Sequence, residues 1–148
     1  MLDGVLFFPV TPFDGNGDID LPALGDKKFQ FFNGLPTAEV SQRAYRSIGV
    51  TLYSSATFAF ASDVSLAYYR ALEEDDTELV DSLNREFFHP LVRLRDTTPG
   101  YAVALVKAGV TFTGLDAGSV RAPLVDASAE HRYELEQIVA AGRKVLAQ

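Results

Sequence analysis

Small and polar residues end each of three short apolar runs that could form buried strands. The runs are residues 5–10, 29–32 and 50–53, and the residues at their ends are Pro9 and Thr11, Asn33 and Gly34, and Ser54 and Ser55. Hydroxyls, a carboxamide and glycine amides can all point at carboxylate or polyol oxygens as neutral hydrogen-bond donors. The same residues are also typical of turns and caps, and spacing alone favours neither interpretation.

Other kinds of chemistry have little support in the sequence. It has no cysteine, which excludes disulfides and thiolate sites. His89 and His131 are far apart and no motif surrounds either, so we interpret both as structural or surface groups. The acidic residues 73–76 precede a predicted helix that begins at Thr77, which favours a capping role over a metal site.

The pattern along the chain is strand, strand, helix, strand and then helices only. A dense turn signal occupies residues 14–18. Thr37 and Ser128 are plausible N-caps, and Pro99 and Gly100 open a further helix. Early alternation followed by a helical tail predicts an α/β fold.

The length and charge of the chain limit which folds and partners are possible. A chain of 148 residues predicts one domain, whereas a closed (β/α)₈ barrel needs at least about 200 residues. Acidic residues outnumber basic ones by 20 to 13, which disfavours nucleic acid as a partner. No apolar run is long enough to span a membrane and no leader pattern is present, so we expect a cytoplasmic protein without a membrane partner.

Five stretches of the chain form extended motifs: residues 2–14 (LDGVLFFPVTPFD), 31–39 (FFNGLPTAE), 52–56 (LYSSA), 99–103 (PGYAV) and 105–109 (LVKAG). They resemble 5-dehydro-4-deoxyglucarate dehydratases, a branch of the dihydrodipicolinate synthase and N-acetylneuraminate lyase superfamily. The first stretch resembles the opening of that family, and the others resemble its closing strands and terminal helices. The resemblance extends over the chain from about Phe29 onward, so that with residues 2–14 it covers nearly the whole chain.

The resemblance implies a (β/α)₈ barrel and a specific reaction. Family members form a Schiff base between a barrel lysine and the keto carbon of 5-dehydro-4-deoxy-D-glucarate. The imine then allows loss of water and carbon dioxide, which yields 2-oxoglutarate semialdehyde in sugar diacid breakdown. This chemistry requires no metal and no organic cofactor. Thr11, Asn33, Gly34, Ser54 and Ser55 would line the barrel mouth and bind the substrate, and Pro9 would shape the exit of the first strand.

The middle of the family pattern is missing from this chain. At residues 25–28 the resemblance passes from the first helix to the seventh strand, and the strands that carry the family's lysine and its partner tyrosine are skipped. The lysines present are Lys27, Lys28, Lys107 and Lys144. None of them follows a predicted strand, where a nucleophilic amine could be desolvated or paired. We therefore expect no catalytic residue in this chain.

The resulting prediction is an α/β fold, a partial (β/α)₈ TIM barrel of about three parallel strands equivalent to strands 1, 7 and 8, with a C-terminal helical layer. Residues 1–148 would form one incomplete barrel domain. Within it, residues 1–24 hold the first strand and the start of the first helix, 25–28 the junction, 29–97 the last two βα units, and 98–148 the terminal helices.

Three functions are compatible with this pattern. The first is a lyase by descent that acts on a small sugar acid, although without its lysine the chain alone is expected to be inactive. The second is a catalytically dead fragment, from an internally deleted gene or an incomplete chain. The third is a module that binds anions or a partner without reaction. Exposed sheet edges with apolar flanks also predict self-association or aggregation.

Overall fold

The computed structural model describes residues 14–18, 20 and 31–147. The chain divides into two units, Met1–Gln30 and Phe31–Gln148. The predicted first strand and the junction at residues 25–28 lie outside the described residues, and so do Pro9 and Thr11. The predicted domain boundaries stay predictions.

In the first unit, residues 14–18 form the turn that the sequence predicts. The Asp14 carboxylate accepts hydrogen bonds from the backbone N–H groups of Asn16 and Asp18, at 2.8 and 3.0 Å. Gly17 has a φ of +86°, in the left-handed region that glycine enters without a steric penalty. The carboxylate and the glycine therefore supply the two features this turn requires.

The second unit contains a two-stranded parallel sheet, formed by β1 (Phe32–Asn33) and β2 (Leu52–Tyr53). Phe32 is paired with Leu52, and Asn33 with Tyr53. Helix α1 (Glu39–Ser47) connects the two strands, as a parallel pair requires. The second and third predicted strands are therefore present and parallel, and the α/β class is confirmed.

Helices make up most of the remaining chain. After a short 3₁₀ helix (Thr57–Ala59) come α2 (Ser62–Glu73), α3 (Thr77–Leu83), a π-helical turn (Asn84–Phe88), α4 (His89–Arg95), α5 (Tyr101–Thr111) and α6 (Ala129–Leu146). The π-helical turn ends at Phe88, two residues before Pro90, which has no N–H to donate to the preceding helical turn. The chain therefore accommodates this proline through a wider turn.

Two of the predicted helix caps are confirmed and one is wrong. The Asp76 carboxylate accepts from the backbone N–H of Leu79 at 3.0 Å, and the Ser128 hydroxyl accepts from that of His131 at 3.1 Å. Thr37 does not cap α1, because Ala38 occupies the N-cap position. Instead the Thr37 hydroxyl accepts a hydrogen bond from the Arg95 guanidinium at 3.0 Å.

The hydrophobic core lies among the helices rather than under the sheet. Helix α6 packs against α2, α3, α4, α5 and the π-helical turn. Its buried side chains Leu135, Ile138 and Val139 are spaced three and one residues apart, which places them on one face of the helix. The predicted C-terminal helical layer thus contributes to a core that it shares with α2, α3 and α4.

Two helical glycines allow aromatic rings to approach the helix backbone closely. A Cβ atom on Gly109 would lie 2.5 Å from Cγ of Phe60, and one on Gly142 would lie 2.8 Å from Cδ2 of Phe87. Real Cβ atoms do not approach rings that closely, because interiors are packed to van der Waals contact. Both positions therefore require the absence of a side chain.

Substitution of Gly109 by alanine tests this contact. Alanine normally stabilises a helix relative to glycine by about 1 kcal/mol. Here we expect the opposite sign, a loss of about 1–3 kcal/mol in the free energy of unfolding, because the Phe60 ring must move. Urea denaturation measures the change. Gly15→Ala is the control, since no described atom lies within 4 Å of a Cβ built there; an equal effect of both substitutions would disprove the contact.

Several large apolar side chains remain exposed in the second unit, including Phe31, Leu35, Phe58 and Tyr69. They lie around the short sheet, where the sequence predicts exposed apolar surface. Self-association through this surface stays a prediction. Among the described helices, none is both long and apolar enough to cross a membrane.

Candidate functional site

The parallel pairing of β1 and β2 brings four of the predicted site residues to one end of the sheet. The backbone N–H of Ser54 donates to the carbonyl of Asn33 at 3.1 Å, so the two strands leave the sheet side by side. Gly34 follows Asn33 directly, and Ser55 follows Ser54. The carboxyl ends of parallel strands are where α/β proteins commonly bind ligands.

The Asn33 side chain is buried and hydrogen-bonded within the chain. Its Nδ2 group lies 3.1 Å from the carbonyl of Ala38, 3.0 Å from Oγ of Ser41 and 3.2 Å from Oε1 of Gln42. Its Oδ1 accepts from the N–H of Leu35 at 3.2 Å. Only 1% of the residue is exposed. Through these hydrogen bonds the buried carboxamide connects β1 to the first turn of α1. Direct contact of Asn33 with a ligand stays a prediction.

Gln42 connects α1 to the residues directly before β2. Its Nε2 group donates to the carbonyls of Val50 and Thr51, both at 3.1 Å. Gln42 is fully buried, which is unusual for a glutamine and is explained by these bonds. The sequence does not indicate this role, because Gln42 occurs in a polar stretch typical of an exposed helix face.

Gly34 and Ser54 are exposed at the same end of the sheet. A Cβ atom on Gly34 would lie 3.1 Å from Cε2 of Phe32, so a side chain there would press on the ring beneath it. A glycine and a serine at adjacent strand ends leave backbone and hydroxyl donors accessible from solvent. Of the predicted site residues that the structure describes, these two are the most exposed to a ligand.

Ser55 belongs to a group of three hydroxyls, which we call the hydroxyl cluster (Ser55, Thr57 and Ser65). The oxygen of Ser55 lies 3.0 Å from that of Thr57 and 3.3 Å from that of Ser65, and the last two lie 2.8 Å apart. Thr57 and Ser65 are buried, whereas Ser55 is half-buried. Ser55 therefore connects the buried hydroxyls with the surface.

A buried carboxyl group, that of Glu39, completes the cluster. The Thr57 hydroxyl donates to its Oε1 at 3.2 Å and connects it to Ser55 and Ser65. Glu39 is completely buried, and among the described residues its Oε2 has no hydrogen-bond partner. Burial raises the pKa of Glu39 above its ordinary value of 4.5, although the nearby hydroxyls of Ser55 and Thr57 oppose this shift.

Two tyrosines border the buried carboxyl group. The Tyr68 hydroxyl donates to the backbone carbonyl of Glu39 at 2.6 Å, and burial raises the pKa of Tyr68 to about 12. Tyr53, at the end of β2, packs edge-on against Tyr68 with ring centroids 6.4 Å apart. Burial and then the nearby Glu39 raise the pKa of Tyr53. Both tyrosines therefore remain neutral at physiological pH.

A groove of about 210 Å³ lies beside the hydroxyl cluster and is open to solvent. Its lining combines strand and helix residues with hydroxyl and aromatic side chains: Leu52, Tyr53, Ser55, Phe58, Ser65 and Tyr69. Ser55 thus contacts both the groove and, through hydrogen bonds, the buried carboxyl group.

The other ionisable candidates lie away from this end of the sheet. The His131 ring Nδ1 lies 2.9 Å from the Tyr101 hydroxyl, and Lys107 donates to the carbonyl of Ala117 at 2.5 Å. Lys144 is exposed on α6 and His89 is exposed at the start of α4. Within the described residues, no three acidic or histidine side chains are grouped closely enough to hold a metal ion.

The raised pKa of Glu39 predicts how stability depends on pH. The folded chain binds the Glu39 proton more tightly than the unfolded chain, so the free energy of unfolding falls as pH rises from 4.5 through the raised pKa. Because glutamine cannot ionise, we expect the Glu39→Gln variant to lack this decline. Its free energy of unfolding should therefore increase relative to that of the parent chain as pH rises.

Urea denaturation at several pH values measures this difference. The exposed Glu134 supplies the control, since Glu134→Gln removes a carboxylate without removing a buried one. A stability difference between parent and Glu39→Gln that stays constant with pH would show that burial does not perturb Glu39.

Comparison with known proteins relates this arrangement to one family. Residues 23–142 match the model of the dihydrodipicolinate synthetase family. A protein of Streptomyces griseus described as a probable 5-dehydro-4-deoxyglucarate dehydratase is 53% identical over an alignment of 146 residues in length. The match covers 91% of this chain and 45% of the relative. Similar proteins of Streptomyces coelicolor and Paracidovorax citrulli are 48% and 44% identical, and the matches cover 88% and 85% of this chain.

The chain spans less than half the length of these relatives, 43–45% of each. The resemblance inferred from residues 2–14 and 31–109 is nevertheless confirmed by the family model and by the identity of the relatives. The chain belongs to the dihydrodipicolinate synthetase family.

Proposed function

We propose that this chain is the barrel-closing part of a 5-dehydro-4-deoxyglucarate dehydratase, and that by itself it binds a sugar diacid without transforming it. The proposal is supported by the names of its relatives and by the parallel pair β1 and β2. In this assignment β1 and β2 correspond to the seventh and eighth strands of the barrel. Residues 5–10 would supply the first strand, which neighbours the eighth in a closed barrel.

The observation that carries the binding proposal is the alignment of the two strand ends. The bond from Ser54 N–H to the Asn33 carbonyl holds the exposed Gly34 and Ser54 next to each other, with Ser55 one residue further. These residues supply neutral donors, which can bind a carboxylate without forming a competing ion pair within the protein. A sugar diacid offers carboxylates and hydroxyls that match such donors.

The proposed lack of reaction follows from the positions of the lysines. A Schiff-base amine must be held neutral by burial or by a neighbouring cation, close to the bound carbonyl group. Lys107 lies within α5, where its amine is hydrogen-bonded to the Ala117 carbonyl, and Lys144 is exposed on α6. Neither lies at the end of β1 or β2. Within the part of the chain that the structure describes, which excludes Lys27 and Lys28, the residues proposed here therefore bind and orient a ligand without an amine for covalent chemistry.

Calorimetric titration with D-glucarate tests the binding proposal. We expect saturable heat at millimolar concentrations for the parent chain. The Ser54→Ala variant should bind about 3- to 10-fold more weakly, which corresponds to loss of one hydrogen bond of about 1 kcal/mol. Ser47→Ala is the matched control, because Ser47 is an exposed serine at the opposite end of α1.

Two results would count against the proposal. Absence of saturable heat with the folded parent chain would indicate the alternative, a catalytically dead fragment that binds no sugar acid. Equal weakening by Ser54→Ala and Ser47→Ala would show that binding occurs away from the strand ends.

A further inference from the structure

The directions in which the hydroxyls of the cluster donate their protons depend on the protonation state of Glu39. Each of Ser55, Thr57 and Ser65 has one proton to donate, and the distances among them allow several arrangements of those protons. The carboxyl group of Glu39 is hydrogen-bonded to Thr57, which is in turn hydrogen-bonded to Ser55 and Ser65. Whether that group accepts or donates therefore decides how the remaining hydroxyl protons point.

An ionised Glu39 draws both neighbouring hydroxyls inward. A carboxylate can only accept, and hydrogen bonds to a charged acceptor are about twice as strong as neutral ones. Thr57 would then donate to Glu39, and the Thr57 oxygen would accept the proton of Ser55, which lies 3.0 Å away. The Ser55 oxygen would present only lone pairs toward the groove, and lone pairs repel an anion.

A protonated Glu39 has the reverse effect. Its O–H can donate to the Thr57 oxygen at 3.2 Å, and Thr57 can donate in turn to Ser65 at 2.8 Å. The Ser55 proton is then no longer drawn toward a charged group through Thr57. Because Ser55 is half-buried and borders the groove, its proton can point toward a ligand there.

The surroundings of Glu39 favour the neutral acid. The side chain is completely buried and its Oε2 is left without a partner among the described residues, which costs far more for a carboxylate than for the carbonyl oxygen of an acid. The titratable groups that face it are Tyr53 from β2 and Tyr68 from α2, and both are neutral. Arg95 of α4 donates to the Thr37 hydroxyl rather than to this carboxyl group.

We propose that Glu39 is a positioning residue that, while protonated, frees the Ser55 hydroxyl to donate to a carboxylate of a sugar diacid in the adjoining groove. This inference rests on the proposed binding of a sugar diacid at the strand ends. It adds a residue to that site, and it makes anion binding dependent on a proton that the protein holds out of contact with solvent. Binding of the diacid and protonation of Glu39 then favour each other, because linkage is reciprocal.

The dependence of affinity on pH follows from this coupling. D-glucarate should bind most tightly where Glu39 is protonated, and the dissociation constant should rise with pH once Glu39 ionises. The rise approaches about tenfold per pH unit above the pKa of Glu39, as expected when one proton is linked to binding. The Glu39→Gln variant should bind with an affinity that does not vary with pH, because the amide donates as the protonated acid does and cannot ionise.

Calorimetric titration of D-glucarate from about pH 5 to about pH 8 tests the inference on four chains. They are the parent, Glu39→Gln, Ser55→Ala and the surface control Glu134→Gln. We expect pH-dependent binding for the parent and for Glu134→Gln. We expect pH-independent binding for Glu39→Gln, and weaker, pH-independent binding for Ser55→Ala. Circular dichroism at each pH confirms that every variant is folded.

If Glu39→Gln does not fold, a measurement on the parent chain alone tests the role of Glu39 in binding. Titration in two buffers of different ionisation enthalpy reports the protons taken up on binding, and we expect an uptake that rises from near zero below the pKa of Glu39 toward about one proton above it. Binding without proton uptake at any pH would overturn the role of Glu39 and leave the proposed function intact. The same holds if Glu39→Gln follows the pH dependence of the parent. Failure of the folded parent to bind at any pH would overturn both.

Discussion

Substitution of Phe87 by alanine is expected to lower the free energy of unfolding by about 3–5 kcal/mol, the range found when a large aromatic side chain is removed from a core. Phe87 is completely buried in the π-helical turn that joins α3 and α4. Its ring packs edge-on against Phe88, with centroids 4.8 Å apart, and lies against Gly142 of α6. Since the rigid helix backbone at Gly142 cannot collapse into the space, most of the cavity should persist.

The control for this substitution is Phe58→Ala, which removes the same atoms from a side chain that is 50% exposed. We expect a loss of no more than about 1 kcal/mol there, since little apolar contact is removed. Urea denaturation followed by circular dichroism measures both variants. Equal losses for Phe87→Ala and Phe58→Ala would show that the contact between the π-helical turn and α6 does not stabilise the fold.

Replacement of Asn33 by aspartate is expected to destabilise the chain by about 3 kcal/mol or more at neutral pH, the usual consequence of an unpaired buried charge. The change preserves the shape of the side chain. It replaces an amide donor by a carboxylate oxygen that would face the Ala38 carbonyl and the Gln42 Oε1, two acceptors. The loss should diminish at acidic pH, where a protonated aspartate can again donate.

The Asn33→Ala variant separates this effect from the loss of hydrogen bonds alone. It leaves polar groups of α1 unpaired without adding charge, so we expect a smaller loss of about 1–3 kcal/mol. Chemical denaturation of both variants at neutral and acidic pH provides the comparison. If Asn33→Asp were as stable as the parent and were impaired only in diacid binding, Asn33 would act as a ligand contact rather than as a structural attachment.

Local sequence patterns predict the elements whose causes are local. The turn at residues 14–18 follows from Asp14 and Gly17, and the starts of α3 and α6 follow from the capping residues Asp76 and Ser128. The apolar runs at residues 29–32 and 50–53 overlap β1 (Phe32–Asn33) and β2 (Leu52–Tyr53), which are shorter than the runs and begin later. Each of these signals lies within a few residues of the feature it predicts.

The buried polar network could not be predicted in this way, because its members come together only when the strands pair. Glu39 and Gln42 occur in what reads as an ordinary amphipathic helix, and Thr57 and Ser65 occur in a loop and the helix after it. Parallel pairing of β1 and β2 brings these segments into contact. The same pairing explains why Asn33, interpreted from spacing as a turn or pocket residue, is buried against α1.

Family membership was also predictable from the sequence, because it rests on contiguous motifs rather than on packing. The site residues themselves, the cytoplasmic location and self-association stay predictions. Glu39 is the clearest addition made by the structure, since its position in the matched stretch FFNGLPTAE gives no sign that its carboxyl group is buried beside three hydroxyls.

Borohydride trapping with 5-dehydro-4-deoxyglucarate tests whether the folded chain lacks the covalent chemistry proposed for its family. The folded chain is incubated with the substrate and reduced, and its intact mass is compared with that of the denatured chain treated in the same way. A full-length relative serves as the positive control. We predict no gain in mass beyond that of the denatured chain. A stoichiometric adduct on one lysine of the folded chain, located by peptide mapping, would contradict the proposal.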